Sequence, residues 1–244
     1  ENLMYASVIG KIFLDEYNCR NGTSLTAKEF FEKHFVPLFF DHPKYMMKGG
    51  NAPLDNPKIK KGTFPDEAAR ADRIRKTIDL IESSPESSSA IGYPSADLSA
   101  TTSGQVSSLE LPITPENVYL SWIGGGLGVG VNGGLAFYFQ DAQVLMDIFS
   151  GWQIYRKWLN ETTPLKGNQI ETWNGQWLAH CYDPDIFDFS LGPTSGEMIK
   201  SDDKILQLTT QKWVKILLRA AQKYPDTTIL AYVFSLGQTN KTVS

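Results

Sequence analysis

Asp185, Asp202 and Lys204 have the residue types and order of an acid, acid-x-lysine site. Two carboxylates can hold a hard divalent cation such as magnesium, and a lysine can stabilise charge or orient water. On this pattern the chain is a metal-dependent nuclease or hydrolase, with Asp185 and Asp202 as metal ligands and Lys204 as their partner. The match is loose, because such acids usually sit on adjacent strands and these lie in segments rich in Pro, Gly and Ser. Magnesium belongs to this alternative alone, and no other cofactor is expected.

A second constellation is denser. Asn168 and Gln169 are followed by Trp173, Asn174, Gln176 and Trp177. Side-chain amides donate and accept, so they suit base edges or sugar hydroxyls. An indole offers a flat face whose stacking contributes roughly 1–3 kcal/mol per base. Lys166, Arg156 and Lys157 are near in sequence, and Lys44 and Lys48 begin a lysine-rich loop that would attract phosphate. The competing expectation is structural: Trp173 and Trp177 are four apart, so one helix face would bury both.

The glycines at 124, 125, 126, 128, 130, 133 and 134 include a G-x-G-x-x-G spacing from Gly128 to Gly133. A dinucleotide site needs a strand before that motif and a helix after it. Here Leu135 to Phe139 reads as strand, so a glycine-rich hairpin is expected instead. Ser201 to Lys204 also spells S-x-x-K, without the partner motifs of acylating serine enzymes. His34, His42 and His180 lack the spacing of a zinc site. Cys19 and Cys181 read as reduced thiols, not a disulfide framework.

The elements that must position these groups follow from periodicity. Apolar residues at helical spacing run from Met4 to Tyr17. Thr26 and Glu29 form a capping box for a second helix, which Pro37 is expected to interrupt. Pro65-Asp66 opens a third helix, and Ser83 to Ser89 reads as a linker. Ala90–Tyr93, Gln105–Ile113, Val118–Ile123 and Leu127–Phe139 carry strand-like residues. Asp141 caps a strongly apolar helix, Ile170 to Ala179 is ambiguous, Lys212 to Tyr224 is helical, and Thr228 to Phe234 closes the chain as a strand. Helices, then a strand-rich block, then helices and a strand predict an α+β fold with an antiparallel or mixed sheet. A helical region 1–84 would precede an α+β region 85–244, as two units or one continuous domain.

The 244 residues carry 41% apolar and 20% charged side chains, which suits a folded chain with a real core. Net charge is −4, so any nucleic-acid contact must be local. No apolar run is long enough to span a membrane and no signal peptide is visible, so a cytoplasmic protein is expected. The chain starts at Glu1 without methionine and stops just after a strand-like run, as a fragment of something longer would. The expected function is polar-ligand binding, with nucleic acid as the favoured ligand, in a subunit of a larger prokaryotic assembly such as a defence system. The alternatives are the metal-dependent hydrolase and a non-catalytic assembly subunit that contacts other proteins.

Overall fold

The structure, a computed structural model, describes residues 5–49, 53–54, 64–85, 113–185, 198–202 and 204–235. Helix α1 (Tyr5–Asn21) crosses α5 (Pro115–Gly125) at backbone contact. A Cβ on Gly124 would lie 1.8 Å from the Ala6 carbonyl oxygen, and one on Gly10 would lie 2.1 Å from that of Leu120. Only glycine lets two helices approach so closely. Every residue of α5 from Val118 to Gly125 is buried. A helix apolar on all sides is a core helix, so α5 is the pillar around which the rest is arranged.

That pillar corrects the expected strand over Val118–Ile123. Thr114 accepts from Asn117 N at 3.2 Å and Pro115 occupies the first turn, both N-terminal helix signals. A fully buried helix has no amphipathic period, so its aromatic and β-branched residues imitate a strand. The expected strands over Ala90–Tyr93 and most of Gln105–Ile113 lie outside the described residues, as does most of the Ser83–Ser89 linker.

The capping box forms as expected: Glu29 N donates to Thr26 Oγ1 at 3.2 Å and Thr26 N donates to Glu29 Oε2 at 2.9 Å. Pro37, however, does not stop this helix. The chain runs from α2 (Ala27–Phe30) through a π-helical turn (Phe31–Phe35) into α3 (Val36–Phe39). Proline lacks an N–H, and its ring crowds the carbonyl four residues back. Widening the preceding turn, with Val36 N donating to Phe31 O, makes room for it. Phe31, Phe35 and Phe39 are all buried, the last two stacked with centroids 4.2 Å apart.

Helix α4 (Glu67–Ser83) is capped by Asp66, which accepts from Ala69 N at 2.8 Å; it fully buries only Thr77 and Ile81. The glycine run becomes the hairpin β1 (Val129–Val131) and β2 (Leu135–Phe139). Gly133 (φ 91°) and Gly134 (φ 69°) turn it in a region other residues enter at a cost. Strand β5 (Ala231–Ser235) pairs with the other side of β2, giving an antiparallel sheet of order β1-β2-β5.

Asp141 caps α6 (Ala142–Ser150) as expected, and α7 (Trp152–Glu161) follows. The ambiguous stretch is helix α8 (Ile170–Cys181). Strands β3 (Ile199–Asp202) and β4 (Ile205–Leu208) form a separate hairpin, and α9 (Trp213–Lys223) precedes β5. The architecture is α+β, dominated by helix. Residues on both sides of Ser84 share one core: Phe13, Phe35 and Phe39 pack on Trp152, and Phe31 and Phe40 on Trp122. No helix among the described residues is long and apolar enough to cross a membrane.

Candidate functional site

Helix α8 carries most of the amide and indole constellation, and it lies against the glycine hairpin. Gly175 makes this approach possible, since a Cβ there would be 2.9 Å from the Gly130 carbonyl oxygen. Asn174, fully buried, donates from Nδ2 to Gly126 O at 2.9 Å and to Gly128 O at 2.8 Å. Its own Oδ1 is buried without a hydrogen-bond partner. Trp173 Nε1 donates to Gly151 O at 2.8 Å, and Trp177 Nε1 to Asp147 O at 3.0 Å. Both indoles are wholly buried and stacked on each other with centroids 5.8 Å apart.

The two glutamines are engaged as well. Gln176 Nε2 donates to Thr209 Oγ1 at 2.8 Å, and its Oε1 accepts from Gln211. Gln169 Oε1 accepts from Leu208 N at 3.1 Å, which ties β4 to the start of α8. Asn168 is exposed, at φ 59°, with its N–H donated to Tyr45 O. The two odd features of the sequence, the glycine run and the amide-indole segment, are thus the two halves of one packing contact. For Trp173, Asn174, Gln176 or Trp177 to touch a ligand, α8 would have to leave the core.

The cations expected to meet phosphate are divided. Lys44 Nζ donates to the carbonyls of Thr162, Thr163 and Leu165, just past the end of α7. Arg156 donates to the carbonyls of Pro37, Leu38 and Asp41 at the end of α3. Cations at helix C-termini satisfy orphan carbonyls and the helix dipole. Burial lowers the pKa of both. Lys48 and Lys166 are exposed, and the Lys48 charge acts on Glu171.

Asp185 is exposed at the last described position before 198, and Lys204 (φ 72°) is exposed in the β3–β4 turn. Asp202 is on β3, paired with Ile205; its side chain lies outside the described residues. Among the described residues no three His, Cys, Asp or Glu converge to hold a metal ion. His42 accepts from Lys44 N at 2.9 Å, and burial, then Arg156, hold its pKa down at about 4. Cys19 and Cys181 are free, and burial pushes the Cys181 thiol up to about 12, an unreactive thiol at neutral pH.

Two polar groups escaped the sequence reading. Glu171 Oε1 accepts from Tyr138 OH at 3.3 Å, while Tyr138 bonds the Tyr5 hydroxyl. Desolvation raises the Glu171 carboxyl, so it can hold a proton above the usual carboxylate range. Asp147 Oδ2 accepts from Tyr182 OH and Tyr224 OH, each at 2.7 Å, and joins α6 to the ends of α8 and α9. Each joins residues far apart in the chain, so no spacing rule flags them.

Apolar side chains reach the surface around α9 and β5. Trp213, Ile216 and Leu217 of α9 face Val129, Val131, Phe137 and Phe139 of the sheet. Register places Val129, Phe137 and Val233 in one cross-strand row on that face. Helix α9 covers the β1 side of the row, and Val233 is left 52% exposed. Leu218 is 60% exposed, Leu230 62% and Trp213 46%. No described strand pairs with the outer side of β5. No family model, no curated protein and no solved structure matches this chain.

Proposed function

We propose that the chain is a non-catalytic assembly subunit whose α9–β5 face docks another protein chain. The observation that supports this is where the exposed apolar residues fall in the chain: Trp213, Val214 and Leu218 on α9, Leu230 just before β5 and Val233 within it are five of the seven large apolar side chains exposed among the described residues. Clustered apolar exposure marks interaction surfaces, whereas scattered exposure is ordinary. The outer edge of β5, which no described strand covers, adds backbone donors and acceptors for a partner strand.

The energetics set the strength of the contact. Each of the five is already about half buried, so full burial adds about 1 kcal/mol apiece. Together that only matches the low end of the association cost of about 4–15 kcal/mol. Backbone pairing along β5, at about 1 kcal/mol net per hydrogen bond, supplies the surplus. The isolated chain should therefore self-associate weakly through this face.

Sedimentation velocity over a wide concentration range tests the proposal. The expected result is a mass that rises with concentration and stays monomeric in Leu218→Lys. A monomer at every concentration contradicts it. Nucleic acid recognition is the rival, carried by exposed lysines such as Lys48, Lys166 and Lys204. Saturable, salt-dependent binding of short DNA or RNA, lost in Lys166→Glu with Lys204→Glu, would favour that reading instead. Magnesium-dependent cleavage lost in Asp185→Ala would favour the hydrolase.

A further inference from the structure

Away from that face, a groove of about 500 Å³ separates α4 from the α2–π–α3 helix. Its floor is apolar: Ala71, Ile74 and Ile78 on α4, and Val36 and Pro37 opposite. On α4 these positions follow i, i+3, i+7 spacing, the stripe one helix shows another. Ile74 and Ile78 remain half-buried, because α4 has no further described helix on this side to cover them. The π-helical turn lies beside the groove: widening the helix there carries Val36 and Pro37 into the wall.

The rim is mostly acidic. Glu32, Asp41, Glu67 and Asp79 line the groove with a single cation, Arg75. Arg75 is already shared between Asp72 at 2.7 Å and Asp79 at 3.1 Å. Asp41 is paired with Arg70. Among the described residues Glu32 and Glu67 have no ion-pair partner, and they sit at the two helices that form the walls. An apolar floor between exposed carboxylates that no ion pair holds is complementary to an amphipathic helix whose apolar stripe is flanked by lysine or arginine. The volume is in the range of a formed ligand cleft and accepts two or three large side chains.

We infer that this groove binds a basic amphipathic helix from a partner protein, at a site separate from the α9–β5 face. The apolar anchors insert between Ile74, Ile78 and Val36, and the basic flanks meet Glu32 and Glu67. Acidic peptides, anionic lipids and nucleic acids are disfavoured by the same rim.

Fluorescence anisotropy with two labelled synthetic helices tests this on the full chain. Both carry leucine at i, i+3 and i+7; one has lysine flanks and the other glutamate flanks. The lysine peptide should bind saturably and weaken as salt rises, and the glutamate peptide should not bind. Glu32→Gln with Glu67→Gln should weaken binding about tenfold, a loss of about 1.4 kcal/mol. Both carboxylates are exposed, so the variant should keep its melting temperature; Ile78→Gln, at a half-buried position of α4, gives a second readout on the floor, with its melting temperature measured alongside. Leu218→Lys should leave binding unchanged. Equal binding of both peptides, no saturation, or affinity untouched by the glutamate and Ile78 variants would overturn the inference. Loss of binding in Leu218→Lys would move the peptide to the other face and overturn it too.

Discussion

Helix α8 and helix α9 have opposite relations to the rest of the molecule. In α8 the residues with chemical potential, two indoles and two amides, are consumed internally by Gly126, Gly128, Gly151, Asp147 and Thr209. In α9 the ordinary residues Trp213, Val214 and Leu218 remain turned to solvent. The contrast teaches that polarity in a sequence does not measure availability. A buried amide among backbone carbonyls is held because leaving it unpaired is costly. An exposed leucine on a helix that already buries Ile216 and Ala220 lacks a comparable local reason.

The largest expected effect breaks the contrast if it fails. Trp173→Ala and Trp177→Ala should each destabilise the fold by about 3–5 kcal/mol in denaturant titrations, since each empties a fully buried site. A stable Trp177→Ala that loses a ligand would make α8 a binding element. Asn174→Ala should cost about 1–3 kcal/mol by the same measurement, because it takes the Asn174 donor from the Gly128 carbonyl and leaves the Gly126 carbonyl with Trp152 Nε1. The lower part of that range is favoured, as the unpartnered Oδ1 is removed with the donor.

Acid should reveal His42 with a smaller effect. Its pKa is depressed from the ordinary 6.5 to about 4, chiefly by burial. The unfolded chain therefore takes up this proton first, and stability falls as pH drops from about 6.5 toward 4 and then levels. His42→Gln should flatten that part of the profile relative to the parent, read as melting temperature against pH. An unchanged slope would show that other groups set it. The smallest effect on stability belongs to α9. Leu218→Lys should change the unfolding free energy by no more than about 0.5 kcal/mol while removing self-association.

How much of this was legible depends on the kind of signal. Caps at Thr26, Asp66 and Asp141 are local, and each starts its helix where the residues said. The glycine hairpin was legible because Leu135 to Phe139 could not begin a helix-bound phosphate loop. Helix α5 imitates a strand in sequence because total burial erases the 3.6-residue period, although Thr114, Pro115 and Glu116 carry the start signal. Pro37 looks like a break in sequence because a π turn that absorbs a proline leaves no mark in composition. The engagement of Lys44 and Arg156 with helix ends more than a hundred residues away is tertiary and invisible to spacing. So is the α9–β5 face, since exposure depends on what else packs nearby.

Hydrogen–deuterium exchange on the dilute and the concentrated chain reads both regions in one experiment. The account predicts that α8 amides are strongly protected at both concentrations, while protection of β5 and the outer side of α9 rises with concentration. Unchanged exchange in β5 and α9, or α8 amides exchanging as fast as those of β5, would contradict it.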